Sequence, residues 1–430
     1  MSLESIKKAL RRPVFGSTSP KKRARERGVA MLLVITSIAI LTAVAVDFQY
    51  NSSVDLQLAA NARDELRAEY LARSAVNISR LVLVFQKQLD GQANLAGPML
   101  EQLGLGGGGG GLNIRLWEIV PVDCGLLTMI LGAAQPSAPP APVYGENGEP
   151  VALPLFGDFP GGCNATIEDE ESKLNVNRLN MPGLSSRPPM EQALAALADP
   201  RFEFVFDKTD AHGVKMTSQE VLIALHDWID ERDTQATLDV GGMTIEAFPD
   251  GFGDENRHYS SSYPHRYKAK NAPFDTLDEL YQVDGVSDLF MAAFRDRLTV
   301  YPDKNKLLNI NTNDTRQMVA NIAAVTAIPN DPKLYDGITL PLILSEIALA
   351  KSFSFFGLST TQFLQIIEKN GIAVKDEIKA GGAKNNKWIS DKSETFTIKA
   401  MGQAGNVEKT VTAVVRHDNA LGKVLYFRQE

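Results

Sequence analysis

From Val29 to Val46 the chain runs 18 residues without a charge or a proline, which is just enough to cross a hydrocarbon core as a helix. Nine Lys or Arg precede it within the first 28 residues, against Glu4 and Glu26, and such a basic flank is held on the cytoplasmic side. Everything after Asp47 is therefore expected on the outer side. A cleaved secretory signal looks similar at first, but it ends in small residues at a peptidase site and releases into an unrelated fold. Here the apolar run passes without Pro or Gly into residues 47–90, where Val54, Leu58, Ala62, Leu66, Tyr70, Ala75 and Ile78 recur near helical spacing. The pattern predicts one helix from about Val29 to Leu89, roughly 90 Å long at 1.5 Å per residue.

Charge is distributed unevenly. Residues 1–28 carry +7 while the whole chain carries −8, so the remainder carries −15 and the two ends face different surroundings. With 430 residues and 44% hydrophobic content the chain buries a sizeable core, which excludes a disordered protein. Two cysteines, Cys124 and Cys163, are too few for a disulfide scaffold or a zinc cluster. They allow a single intramolecular staple in an oxidising compartment, or two separate thiols.

Beyond the stalk, six consecutive glycines at 106–111 read as a flexible connector, and Pro and Ala dominate 134–143 as an extended loop. Residues 112–122 alternate as a strand, and 165–180 read as a second strand pair with a turn near Glu170 to Ser172. From Pro188 to about Lys379 apolar residues fall three or four apart in seven segments, several opened by capping residues such as Thr217 with Glu220 and Thr276 with Glu279. Alternation returns over 393–405 and 407–419, and 423–430 closes the protein. The order predicts an α+β protein in which a helical domain interrupts an antiparallel sheet.

A basic leader ending in Arg27-Gly28, followed by a membrane-length stretch that becomes an amphipathic stalk, resembles the type IV pilins and pseudopilins. Further motifs come in order along the chain. They are Leu174-Asn175-Val176-Asn177-Arg178-Leu179, the acidic helix end Asp227 to Asp233 around Trp228, and Gly253-Asp254-Glu255-Asn256 with Tyr259. Asn271-Ala272-Pro273-Phe274 before Leu277-Asp278-Glu279-Leu280, and Asn309-Ile310-Asn311-Thr312, complete the series. Together they resemble the minor pseudopilin K family of the type II secretion system, also called general secretion pathway protein K. The resemblance implies a type IV pilin-like fold with a long transmembrane and stalk helix, an antiparallel sheet and a large helical insertion of helix-hairpin-helix or SAM-like type. Its expected boundaries are leader 1–28, helix 29–90, first sheet portion 91–180, insert 181–385 and closing strands 386–430. It implies cleavage by a prepilin peptidase between Gly28 and Val29. Most pilins carry Glu at the fifth mature position; this chain has Leu33 there, and the pseudopilin K family likewise lacks the Glu. The implied role is not enzymatic: the subunit caps the pseudopilus tip and helps start its assembly, anchored in the bacterial inner membrane with its large domain in the periplasm. Implied partners are other minor pseudopilins, the inner-membrane assembly platform and secreted substrates, with Val54, Leu58, Leu66 and Tyr70 as the helix-to-helix interface. A minor pilin of a type IV pilus machine and a membrane-anchored DNA receptor are the alternatives.

The densest polar cluster is Asp227, Asp230, Glu231 and Asp233, followed by Asp250, Asp254, Glu255 and Asn256. Carboxylates so close are solvated, or are neutralised by a hard cation that prefers oxygen ligands; the spacing is not that of an EF-hand. The family resemblance implies structural calcium, held by Asp230, Asp233 and Glu255 with Asp254 and Asn256 as further donors. Arg232 stands where relatives carry an acidic residue. Residues 276–298 resemble a helix-hairpin-helix with Val283-Asp284-Gly285-Val286 at the turn, but Asp278, Glu279, Asp284 and Asp288 surround it, the wrong sign for phosphate. It reads as a packing motif, and no nucleic acid is expected. His226, His258 and His265 lack ligand spacing and read as core or surface residues.

Overall fold

The computed structural model describes residues 20–102, 115–125, 143–144, 150–151, 161–207, 209, 213, 215–261, 267–328, 331–353, 357–379, 388–417 and 422–430, with side chains described from residue 29 and not at 89–102, 119, 143–144, 150–151, 261 and 353. The leader to residue 19, the glycine run 106–111 and the Pro-rich loop 134–142 lie outside these residues. The chain divides into two units, Met1–Leu66 and Arg67–Glu430.

Helix α1 spans Pro20–Gln102 and contains Gly28 and Val29. In the first unit its large apolar side chains from Val29 to Tyr50 are between 52% and 73% exposed. The hydroxyls of Thr36 and Thr42 donate back to the carbonyls of Leu33 (3.0 Å) and Ile38 (2.8 Å), so these polar groups are satisfied within the helix. The segment is long and apolar enough to cross a membrane.

In the second unit α1 meets a sheet. After α2 (Leu116–Ile119) come β1 (Val122–Asp123), the short pair β2 (Val143–Tyr144) and β3 (Pro150–Val151), and β4 (Gly162–Asp169). Far along the chain β11 (Thr395–Ala404), β12 (Val407–Arg416) and β13 (Lys423–Gln429) complete an antiparallel sheet of order β1-β4-β11-β12-β13. Gly405, first of the two residues between β11 and β12, has φ 57°, as a tight hairpin turn needs. Ala68, Leu71, Ala72, Ala75, Val76 and Leu83 pack on Phe396, Ile398, Ala400, Val411 and Ala413. The approach is close because the meeting residues are small: a Cβ on Gly402 would lie 2.1 Å from the Ala68 carbonyl oxygen and 2.5 Å from the Ala72 nitrogen.

Of the expected stripe, Ala75 and Ile78 are buried, whereas Leu58 (60%), Leu66 (57%) and Tyr70 (64%) are exposed. The expected strand at 112–122 is corrected. Its described part forms α2, with Val120 N–H bonded to the Leu116 carbonyl, and only Val122 reaches the sheet. The Leu116 N–H is held by Gln86 Oε1 at 2.6 Å, and the Arg115 guanidinium reaches Glu118 and Asn311. Side-chain anchors have overridden strand alternation.

Between β4 and β11 the chain leaves the sheet. It passes through β5 (Leu174–Asn175), α3 (Arg187–Leu197), α4 (Ser218–Asp227), β6 (Thr234–Ala236), β7 (Asp250–Asp254), α5 (Arg257–Ser261), α6 (Asp288–Phe294) and β8 (Leu298–Thr299). It continues through β9 (Leu308–Asn309), α7 (Thr315–Val325), α8 (Thr339–Phe353), α9 (Thr360–Lys369) and β10 (Ile389–Ser390). The turn at Glu170 to Ser172 is present, but β5 does not fold back on β4 as a strand pair; it runs parallel to β8, and β9 runs parallel to β10. Each two-residue ladder closes one apolar core. The first gathers Leu222, Leu225, Trp228, Phe248, Phe290 and Phe294; the second gathers Ile322, Ile343, Phe363, Ile367 and Trp388.

Both ladders use one device. In Asn175-Val176-Asn177 the first side chain accepts the N–H of the second Asn (3.0 Å), and Asn309-Ile310-Asn311 repeats this at 2.9 Å. The second Asn of each then ties distant backbone: Asn177 donates to Phe274 and Val300 carbonyls, and Asn311 donates to Leu358. Where the insert meets the sheet, Asp169, Glu170 and Glu171 are all buried. Asp169 accepts from Asn309 and Ser393, both at 2.7 Å; Glu170 from Thr299, Thr397 and Lys173; Glu171 from the Glu394 N–H and Thr395. Thr395 and Thr397 are therefore buried on the face of β11 opposite Phe396 and Ile398, so that strand does not alternate between core and solvent.

Candidate functional site

The capping box of Thr217 and Glu220 starts α4, and its apolar face carries Val221, Leu222 and Leu225 into the first helical core. That burial sets the path of the chain leaving the helix. Trp228 is enclosed, with the rings of Tyr259, Tyr267 and Phe274 at 5.5, 6.1 and 6.3 Å. Inserting Trp228 there turns Asp227 and Asp230 inward, where they are 4% and 2% exposed.

His226, Asp227 and Asp230 bring ligand atoms within 4.8 Å of one another. His226 stacks on Phe248 at 4.1 Å, with Nδ1 3.2 Å from the Leu179 carbonyl and Nε2 3.0 Å from Arg232. With the ring proton on Nδ1 both contacts are met, and His226 is a satisfied core residue. Arg232 also donates to Asp230 at 2.7 Å, to Asp250, and to the Phe248 carbonyl. Burial opposes the charge on Asp230, but hydrogen bonding and charge from Arg232 outweigh it and hold the carboxyl below its usual range.

The other carboxylates are less well served. Burial pushes Asp227 up to about 7 against the Ala236 N–H it accepts, with Asp230 and Glu255 adding repulsion. Glu255 is likewise pushed up to about 7, by burial first and then by Asp230 and Asp233. Glu255 Oε1 takes a 3.3 Å bond from Asn256, whereas Oε2 is enclosed without a partner. So is Asn271 Oδ1, on a residue held at φ 50° whose amide donates toward Asp233 at 3.4 Å. Asp254 is exposed and closes its turn by accepting the Asn256 N–H, and Asn256 Oδ1 accepts from Ala269.

Two enclosed oxygens without donors, amid carboxylates that repel one another, form a donor set of the kind that hard divalent cations take. Asp230 and Asp233 act on Glu255 as neighbouring charges and Asn271 stands beside Asp233, but the described residues whose ligand atoms lie within 4.8 Å of one another are His226, Asp227 and Asp230. Sequence reasoning placed Asn271 only in a motif; its position before Ala272-Pro273 was the available signal, since Asn tolerates a left-handed backbone.

The helix-hairpin-helix expectation meets a different geometry. Residues Leu277–Gln282 form a 3-10 turn, Thr276 makes no side-chain cap, and Glu279 instead accepts the Asp275 N–H. Gly285, at φ 79°, sits against Val221 and Met216 ahead of α6. Cys124 and Cys163 are joined by a disulfide, with Cα atoms 5.2 Å apart, next to the β1–β4 pairing.

No protein-family model matches the chain, and no curated protein does. Among solved structures the chain is similar to one from the crystal structure of the GspK-GspI-GspJ complex of the enterotoxigenic Escherichia coli type 2 secretion system. The identity is 16% and the TM-score 0.40, over 67% of this chain and 83% of that one. The fold is α+β: a long apolar N-terminal helix, an antiparallel sheet and helical elements set between its strands.

Proposed function

We propose that this protein is a minor pseudopilin of a type II secretion system that caps the pseudopilus tip and helps initiate it. The observation carrying this reading is the helix that is bare and apolar from Val29 to Tyr50 and packs its small residues on a sheet from Ala68 onward. An apolar cylinder of that length needs lipid before assembly and the helices of sister subunits after it, and helix packing supplies the second. Removal of the basic leader after Gly28 releases Val29 as the first residue. Leu33, lacking the carboxylate that pilins use toward a preceding subunit, suits a subunit with none above it. Val54, Leu58, Leu66 and Tyr70 are the contact residues on the stalk, and the helical insert between β4 and β11 blocks further addition. The chain stays anchored in the inner membrane with its large domain in the periplasm.

The acidic cluster holds a structural calcium through Asp230, Asp233, Glu255 and Asn271, with Asp254 at its edge. Calcium supplies charge neutralisation and fixes the loops after α4 and β7. Arg232 already neutralises part of Asp230, which favours one ion over two. Thermal unfolding in calcium against chelator tests this: calcium raises the midpoint in the native chain, and Glu255→Gln removes most of the rise. Equal midpoints in calcium and chelator would exclude the site. For the assembly role, Leu58→Cys is expected to form disulfide cross-links to cysteines placed in the stalks of sister minor pseudopilins. A deletion that left secretion and pseudopilus initiation intact would overturn the reading.

A further inference from the structure

Arg178 follows β5 in a 3-10 turn, Val176–Asn180. It is 6% exposed, its Nε is enclosed without a hydrogen-bond partner, and among the described residues its guanidinium meets no carboxylate. Burial lowers its pKa only to about 10, so it stays charged in neutral solution. A buried, uncompensated cation is costly, and buried polar groups are as a rule satisfied. The other buried arginines among the described residues each have a partner or a ring: Arg115 bonds Glu118 and Asn311, and Arg297 lies over Phe202 and Phe294.

Arg178 lines a small cavity with Lys173, Lys306, Glu171, Asn175 and Gln192. Its volume, about 10 Å³ for the centre of a water-sized particle, admits one such particle. Lys173 is paired with Glu168 and Glu170, and Lys306 with Glu394, so the charge of both lysines is already matched and Arg178 is left as the unmatched cation of the wall. Glu171 is the one carboxylate among the lining residues, and its Oε1 is committed to the Glu394 N–H and Thr395. The cavity thus offers one cation that no carboxylate pairs with among the described residues, little room, and a single carboxylate, Glu171, with one oxygen already taken.

We propose that the cavity at Arg178 binds one small inorganic anion of chloride size. Phosphate and organic carboxylates exceed the space. The walls come from the turn after β5, from Pro189 and Gln192 of α3, and from Leu308 of β9, so the ion braces the neck where both helical cores leave the sheet. The site is independent of the pseudopilin reading and of the calcium cluster.

The test is thermal unfolding of the full chain in detergent at constant ionic strength, with sodium chloride replaced stepwise by sodium gluconate. The midpoint is expected to rise by several degrees between about 1 and 300 mM chloride, as for a ligand that binds only the folded state. Bromide should act likewise. Arg178→Met should abolish the halide dependence, Arg178→Lys should keep a weaker one, and Glu171→Gln should move half-saturation to lower chloride. If Arg178→Met does not fold, the wild-type halide response and the Lys variant still decide. A wild-type midpoint that ignores halide, meaning that water alone solvates Arg178, overturns the proposal, as does a dependence that survives in Arg178→Met. Bromide-soaked crystals give a direct check: an anomalous peak beside the guanidinium is expected, and peaks only elsewhere refute it.

Discussion

Glu171→Gln is expected to stabilise this protein at neutral and alkaline pH. Glu171 is 4% exposed and its carboxyl is pushed up to about 7, by burial first and by Asp169 second. The ionised form is therefore disfavoured in the folded chain and free in the unfolded one. Between the ordinary value of 4.5 and about 7 the folded state holds a proton that the unfolded state has lost, so stability falls as pH rises through this window. Above it the loss levels off at about 3 kcal/mol, from 1.36 kcal/mol per pH unit of displacement. Glutamine keeps an oxygen for the Glu394 N–H and Thr395 and has no charge to bury. Equilibrium unfolding in urea from about pH 4.5 to 8.5, at fixed chloride, measures this. The variant should gain on the order of 2–3 kcal/mol at pH 8 and show a shallower pH slope. Wild-type stability that rises between pH 5 and 7, or a variant less stable than wild type at pH 8, would refute the reasoning.

Other changes act on features with known costs. Gly402→Val places side-chain atoms against the Ala68 and Ala72 backbone and should destabilise by about 1–3 kcal/mol, the range for overpacking; an unchanged unfolding midpoint would contradict the close approach. Cys124→Ser opens a loop whose ends are 39 residues apart, and a loss of about 2–4 kcal/mol is expected from denaturant unfolding under non-reducing conditions. Asn177→Ala removes donors to Phe274 and Val300 and the acceptor for the Phe274 N–H. It should cost about 2–4 kcal/mol, seen as a lowered midpoint, with the larger share from carbonyls left buried and unpaired.

The parts of the fold legible in the sequence are those set by local pattern. The apolar run from Val29 announces itself by length and lack of charge. The hairpin of β11 and β12 comes from two alternating runs around Gly405-Asn406, and α4 from its capping box and apolar spacing. What sequence reading missed was decided by size and by long-range polar contacts. Ala68, Ala72 and Ala75 are buried because the sheet demands small residues opposite Gly402, and small residues give only a weak apolar pattern. Residues 116–119 alternate like a strand and become a helical turn once Gln86 and Asn311 hold its start, at the Leu116 N–H and the Arg115 guanidinium. Two-residue parallel ladders leave no periodicity to detect, and in one case the partners, Leu174 and Leu298, stand far apart along the chain. The site was half legible for the same reason: the carboxylates crowd together along the chain, whereas Asn271 arrives from another loop.

The insert departs after Asp169 and returns at Thr395, and Asp169 stands opposite Phe396 on neighbouring strands. Exit and entrance are thus side by side on one rim of the sheet, sealed by the acidic triplet and its threonines. Strand pairing beneath that seal owes nothing to the length of what is carried above it. Whole lobes are therefore free to be enlarged, trimmed or exchanged over generations while the stalk and sheet keep a constant gauge.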